Sequence, residues 1–399
     1  MRRTLTCLIA LLVLFPPLWA RAGVLEAPGT DLEVSLMTYG PGAIYWERFG
    51  HDAIRLRDRV SGESAEFNYG VFDFEDKSFM WNFARGHMRY MLDAEHGETD
   101  QQDFVDEGRL VIQQVLALSP QQAQNLRAFL LWNMRPENLT YDYDYLTDNC
   151  ATRVRDALNR ALDGALKPIL SATPAPLTYR QQIDRLMSPE RLLMLGMDLG
   201  LGPSSDHPLN EWQESFIPMV LQRELRRVRV RDEHGNPTPL VVSEAQLAPN
   251  HVQPPPDEPL NLDVPLGIAG LILAAILVVS RRLLPTLHAV VAITYLLFAG
   301  IVGLLLIALW TLTAHHGAWA NGNLLVFNPV ALAMLGAAWG TRRNMRAGSL
   351  VRWLSVCQLG AALLALLFHF LGVIPQQNLP WLLFATPVWL AIAFGLFAL

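Results

Sequence analysis

The sequence predicts an α+β domain exported across a membrane, followed by an all-α bundle of five transmembrane helices. Three observations carry this reading of the 399 residues: a leader-like start, a central region with strand and helix patterning, and a C-terminal third of apolar stretches.

The chain opens with Met1-Arg-Arg, a charged start, and 8–18 form an apolar core. Ala20-Arg-Ala22 then supplies the small residues of a cleavage site, so 1–22 read as a secretory signal peptide. Cys7 falls inside it and is expected to leave on export. No lipobox cysteine stands at the cleavage point, so the mature chain is not expected to be a lipoprotein itself.

Residues 23–247 are long enough for one exported domain with its own core. After His51, the positions Ala53, Ile54 and Leu56 read as a half-buried strand. The stretch 59–65 is rich in turn formers, and 66–74 returns as a second strand. Farther on, Val154, Ala157, Leu158, Ala161 and Leu162 fall at three- and four-residue spacing and mark one apolar helix face. Cys150 therefore stands in the first turn of a helix capped by Asp148 or Asn149. The segment 209–227 reads as a helix pair, or as a helix kinked at Pro218. Its Arg223, Arg226 and Arg227 fit a solvated charged face better than a contact with lipid headgroups. The prolines of 248–262 form an extended spacer that keeps the domain near the membrane without fixing it there.

From Val264 the chain runs through apolar stretches at 264–280, 287–312, 324–340, 350–373 and 381–398, each near the roughly 20 residues of a spanning helix. Arg281 and Arg282 lie between the first two, and Arg342, Arg343, Arg346 and Arg352 lie around the junction of the third and fourth. The other connections carry no lysine or arginine. By the positive-inside rule the arginine loops and the C-terminus are cytoplasmic, and the domain before the first helix is periplasmic. The leader implies the same orientation.

Composition narrows the chemistry. A formal net charge of −6 gives no basic patch for nucleic acid. The chain holds no Gly-rich phosphate loop, no Cys-x-x-Cys and no His-Glu-x-x-His, so no cofactor and no metal is expected.

Within the exported region Cys150 is the single cysteine, in Tyr-Leu-Thr-Asp-Asn-Cys-Ala-Thr-Arg at 145–153. Disulfide-forming compartments favour cysteine pairs, so an unpaired thiol there is accidental or needed as a thiol. The free N–H groups of a helix start favour its thiolate, which suits a nucleophile. His51, at the mouth of the strand pair, supplies the partner for a thiol–imidazole couple. A third polar group would orient the ring. Asn68 is the first choice because its amide oxygen can accept from the imidazole, and Tyr69 is the second. Neighbouring strand residues face opposite sides, so only one of the two can serve.

Several blocks in order, Tyr39-Gly-Pro-Gly42, Phe49-Gly-His51, the aromatic run 67–74, Phe83-Ala-Arg-Gly86 with Tyr90, and 141–153, resemble the periplasmic domain of the lipoprotein N-acyltransferase Lnb family. The resemblance implies a circularly permuted, papain-like (NlpC-type) thiol fold in which histidine precedes cysteine. It implies Cys150 as nucleophile and His51 as base, with Asp148, Asn149 and Arg153 supporting them. It further implies transfer of an acyl chain from the diacylglyceryl group of a lipoprotein to that lipoprotein's N-terminal amine, by way of a Cys150 thioester. A diacylated lipoprotein or another membrane lipid would be the partner. An NlpC-like hydrolase of peptidoglycan or another amide is the alternative, although five spanning helices exceed what a wall hydrolase needs. A non-enzymatic envelope assembly protein is a third reading, and it leaves the Cys–His arrangement without a role.

One membrane loop is polar. Thr-Ala-His-His-Gly-Ala-Trp-Ala-Asn-Gly-Asn at 313–323, followed by Asn328-Pro329, sets His315, Asn321 and Asn323 at the outer end of the second and third helices. The Lnb family shows a similar pattern, usually with an acidic residue where this chain has Ala314. Polar groups near hydrocarbon are costly, so these three are candidates for binding a substrate headgroup. His369, inside the fourth helix, either faces the same space or bonds a neighbouring carbonyl.

Overall fold

A computed structural model describes residues 23–72, 77–232 and 234–397. The expected leader, with Cys7, and the end of the strand expected to reach Phe74 lie outside the described residues.

The N-terminal domain is built on an antiparallel sheet. Strands β1 (Leu32–Tyr39), β2 (His51–Asp58), β3 (Ser64–Val71), β4 (Met88–His96), β5 (Val111–Leu116) and β6 (Thr140–Tyr143) are joined by β9 (Val241–Ala248), after a small ribbon of β7 (Arg229–Arg231) and β8 (Pro237–Pro239). The order across the sheet is β6-β4-β3-β2-β1-β5-β9. The β2–β3 pair is the expected hairpin. Its register sets Ala53 against Asn68, while Tyr39 on β1 faces His51. Helix α1 (Phe79–Arg85) links β3 to β4, and α2 (Gly97–Asp106) links β4 to β5.

Alternation divides the strands between two faces. On one, Leu36, Ile54, Leu56, Phe67 and Tyr69 join the core under α3 (Pro120–Asn133) and α4 (Cys150–Ala161). On the other, Met37, Tyr39 and Ala53 pack against Phe104 and Val105 of α2. The apolar positions expected along α4 are all buried: Val154, Ala157, Leu158, Ala161 and Leu162. Each large one contributes about 1.5–3 kcal/mol through burial, which holds the start of α4 against the sheet.

Helices α5 (Leu166–Ser171), α6 (Tyr179–Met187) and α7 (Arg191–Gly200) follow, then α8 (Glu211–Glu214) and α9 (Pro218–Leu225). The last two are the pair expected around Pro218, and proline starts α9 where its missing N–H costs nothing. Arg226 pairs with Glu244 at 2.6 Å, Arg223 with Glu224 at 2.7 Å and Arg227 with Glu211 at 2.7 Å. These arginines face the domain's own carboxylates rather than headgroups.

The segment after β9 is less free than its prolines suggest. The His251 N–H donates to Gly108 O at 2.8 Å, while Arg48 and Arg185 hold the carbonyls of Gln253 and Pro256 at 3.2 and 3.1 Å. These bonds pin an otherwise extended spacer to the domain.

Five spans follow: α10 (Asp263–Leu283), α11 (Pro285–Leu312), the stretch Gly322–Arg343, α13 (Ser349–Phe370) and α14 (Leu379–Phe397). The third is not the regular helix expected at 324–340. Only α12 (Leu335–Gly340) within it is α-helical; 3-10 turns occupy 322–325, 329–334 and 341–343. Pro329 interrupts the ladder, and the freed groups need partners at membrane depth. Gln358 supplies one to Leu325 O at 2.8 Å, and the Trp389 indole supplies one to Val326 O at 2.8 Å. Gly303 lets Asn328 approach, because a Cβ there would stand 2.3 Å from the Asn328 Cα.

Candidate active site

Cys150 is the first residue of α4, and Asn149 rather than Asp148 caps it. The Asn149 side chain accepts from the Thr152 N–H at 2.9 Å, and its Nδ2 donates to the carbonyls of Tyr145 and Phe216 at 3.0 and 2.9 Å. Asp148 instead forms a two-point ion pair with Arg153, one arm at 2.7 Å, and the guanidinium lies 3.9 Å over the Tyr141 ring. The three supporting residues thus brace the turn that carries the thiol.

That turn meets the ends of β2 and β3. The N–H groups of Asp52, Ala151 and Cys150 act on the sulfur and favour its thiolate. Asp52 directly follows His51, so the sulfur lies beside the peptide that joins them. Gly70, at φ +96°, leaves the space: a Cβ there would sit 3.5 Å from the Cys150 Cβ. A side chain at this position would be strained by that φ.

His51 is fixed by a hydrogen-bonded chain. Asn68 Nδ2 donates to Asp100 Oδ2 at 2.9 Å, which turns the amide oxygen toward the imidazole, 2.8 Å from His51 Nε2. An amide oxygen can only accept, so Nε2 carries the proton and Nδ1 keeps its lone pair. Tyr39 and Phe104 lie on one side of the ring, with centroids 6.1 and 5.8 Å away and planes within 20°, and stack on each other at 3.7 Å. Tyr69 points to the opposite face and donates to Asn133 Oδ1 at 3.2 Å.

The electrostatics differ from the expectation at the thiol. Burial pushes Cys150 up to about 12, and the nearby Asp52 carboxylate adds to this against the three N–H groups. The helix start is therefore outweighed by desolvation. Burial also lowers His51 below its ordinary value, an effect the bond to Asn68 offsets in part and Arg109 reinforces. Both shifts favour a neutral thiol and a neutral imidazole in the resting pair. Asp52 itself is pushed up to about 7 by burial; its Oδ1 accepts from Thr38 Oγ1 at 2.6 Å, and its Oδ2 has no hydrogen-bond partner among the described residues.

The polar membrane loop approaches the same end of the domain. His315 Nε2 donates to Phe83 O at 3.1 Å, and its ring stacks on Tyr145 with centroids 6.3 Å apart. Asn321 and Asn323 are buried and engaged with protein. Asn321 Nδ2 donates to the carbonyls of Leu199, Gly200 and Leu201 at 2.9–3.0 Å, and Asn323 Nδ2 donates to Leu199 O at 3.0 Å. Their oxygens accept from Gln376 and Asn378. They cap the end of α7. The ring of His369 meets Phe370 edge-on at 5.6 Å.

Asp100 and Asp52 escaped the sequence reading. Nothing marks Asp100 among the seven carboxylates at 93–107, and only the contact of α2 with β3 brings it to Asn68.

The curated proteins and the solved structures offer no match to this chain. Two family descriptions do match: the Lnb N-terminal periplasmic domain over residues 26–185, which contain His51, Asn68 and Cys150, and the Lnb transmembrane domain over 258–398. Together they span most of the sequence in the order the structure shows, and the chain belongs to the Lnb family, as a membrane-anchored periplasmic protein that modifies lipoproteins.

Proposed function

We propose that the protein is a Cys–His transacylase that moves an acyl chain from the diacylglyceryl group of a lipoprotein to its N-terminal amine. The observation that carries this reading is the Asp100–Asn68–His51 chain, which ends beside a thiol at a helix start. His51 and Cys150 in this order, with Asn68 orienting the ring, are what a permuted papain-like site requires.

The neutral resting pair favours general-base chemistry over a preformed ion pair. As the sulfur attacks the ester carbonyl carbon, His51 Nδ1 takes the thiol proton. The Cys150 N–H at the helix start is a candidate donor to the developing oxyanion. The carbon–oxygen bond then breaks, and Nδ1 returns the proton to the leaving glyceryl oxygen, giving a thioester and a lyso product. The uncharged α-amine next attacks the thioester carbon. His51 accepts the amine proton and delivers it to the departing sulfur, which restores the thiol and leaves an amide. Anchoring in one bilayer leaflet raises the effective concentration of donor and acceptor.

The deciding experiment is mass spectrometry of lipoprotein N-termini from cells with the protein, without it, and with Cys150→Ala. N-acylated lyso termini that need Cys150 support the transacylase. Unchanged termini together with altered wall peptides would replace it with an amide hydrolase.

A further inference from the structure

Two short helices of the exported domain lie level with the outer ends of the spans and present exposed apolar side chains among the described residues. In α1, Met80 is 69% exposed and Trp81 66%, and Phe83 is partly exposed beside them. In α7, Leu192 is 86% exposed, and Leu193, Gly196 and Met197 share its face, while Met194, Asp198 and Leu199 form the buried one. Apolar patches of this kind mark a surface that something covers.

The membrane half fixes where these faces stand. The Ala314 N–H, two residues past the end of α11, donates to Arg85 O in the last turn of α1 at 2.8 Å. Gly86 at φ +75° allows this approach, since a Cβ there would lie 2.9 Å from His315 N. Helix α7 is held at the depth of the first turn of α14, where the Trp381 indole donates to Asp198 Oδ2 at 2.7 Å. Leu199 joins the core of the bundle with Val326 and Phe327. A face at that depth, pointing away from the bundle, meets lipid.

We infer that α1 and α7 are interfacial helices seated in the outer leaflet, their occupant being the lipid surface itself. Trp81 at the edge of hydrocarbon, with Arg85 5.9 Å from its ring, has the amphipathic character of a membrane-belt residue. The apolar face of α7 lies in the plane of the interface in the manner of a monotopic helix. Between α1 and the thiol runs a path of rings: Phe83 to Tyr145 at 6.5 Å, Tyr145 to Tyr143 at 5.6 Å, and Tyr143 beside Gly70, next to Cys150. An ester carbonyl drawn up along this path reaches the sulfur while its acyl chain stays among apolar groups. The path deepens the transacylase reading and rests on it, whereas the seating of the two helices does not.

The test uses the full-length protein in liposomes, with its native cysteines replaced by serine and a fluorophore placed at Trp81→Cys, Leu192→Cys or Val60→Cys. Val60 lies in the turn at the other end of the β2–β3 hairpin. Lipids carrying a nitroxide near the glycerol are expected to quench positions 81 and 192 several-fold more than position 60. Equal quenching at all three overturns the seating, whatever the enzyme does. In the otherwise native protein, Met80→Glu with Trp81→Glu is expected to slow acylation of membrane-borne diacylated lipopeptide about tenfold. Both side chains are exposed, so the pair removes little packing, and labelling of Cys150 by a small soluble alkylator should stay unchanged. Unaltered acylation by that variant overturns the path. Strong quenching without any acylation in the native chain leaves the seating intact and removes the transacylase.

Discussion

At Cys150, two features of one residue pull in opposite directions. Its place at a helix start favours the thiolate, and its burial beside Asp52 opposes it more strongly, pushing the thiol up to about 12. Alkylation of the resting protein should therefore keep rising with pH beyond 9, with no plateau near neutrality, in a stopped-flow or mass-spectrometric assay. Asp52→Asn removes the charge that disfavours the thiolate and should speed labelling at pH 8. In the proposed mechanism His51 acts as a neutral base, and burial holds its titration below the ordinary 6.5, so turnover should fall only as the pH drops through that lowered value. Asn68→Ala should cut kcat by about a hundredfold with little change in KM, because a freely turning ring loses its attack geometry. Asp100→Leu should approach the same loss, since an Asn68 amide free to flip would offer His51 a donor and favour the wrong tautomer. Residue types and spacing made Cys150 and His51 legible. The choice of Asn68 over Tyr69 required knowing which face of β3 turns toward α2.

At the scale of elements, α7 and its partners decide how the two halves meet. Arg180 is buried between Asp198 and Asp206, at 2.8 and 2.7 Å, and the backbone N–H of Gln377 donates to Asp206 at 3.1 Å. Removing one partner of such a buried group leaves uncompensated charge. Arg180→Leu should therefore cost about 3–5 kcal/mol in thermal or denaturant unfolding of the detergent-solubilised protein. Asn321→Ala strips the donor from three carbonyls at the end of α7 and should cost about 1–3 kcal/mol. Its acylation should fall through loosened docking while Cys150 remains alkylatable. The sequence marked this loop as polar in an apolar setting, but the protein partners of Asn321 and Asn323 were not legible in it. The carbonyls they satisfy lie some 120 positions away in α7, and nothing local pairs the two segments.

For the whole molecule, the spans alternate between the domain side and the arginine side, so orientation is testable. A reporter active only outside the cytoplasm should work when fused after residue 260 and fail when fused after Leu399. Activity at the C-terminal fusion would mean one crossing fewer or more than the structure has. By itself the sequence determined the α+β domain, the β2–β3 hairpin, the apolar face of α4 and the five spans, and it put forward the pair His51 and Cys150. Each of these is written in local periodicity, length or residue type. Tertiary structure alone decided which of Asn68 and Tyr69 meets His51, the burial of the thiol, the pinned spacer, the broken third span and the docking of α7 on the membrane half. Those depend on burial and on hydrogen bonds between distant segments, which no local pattern encodes.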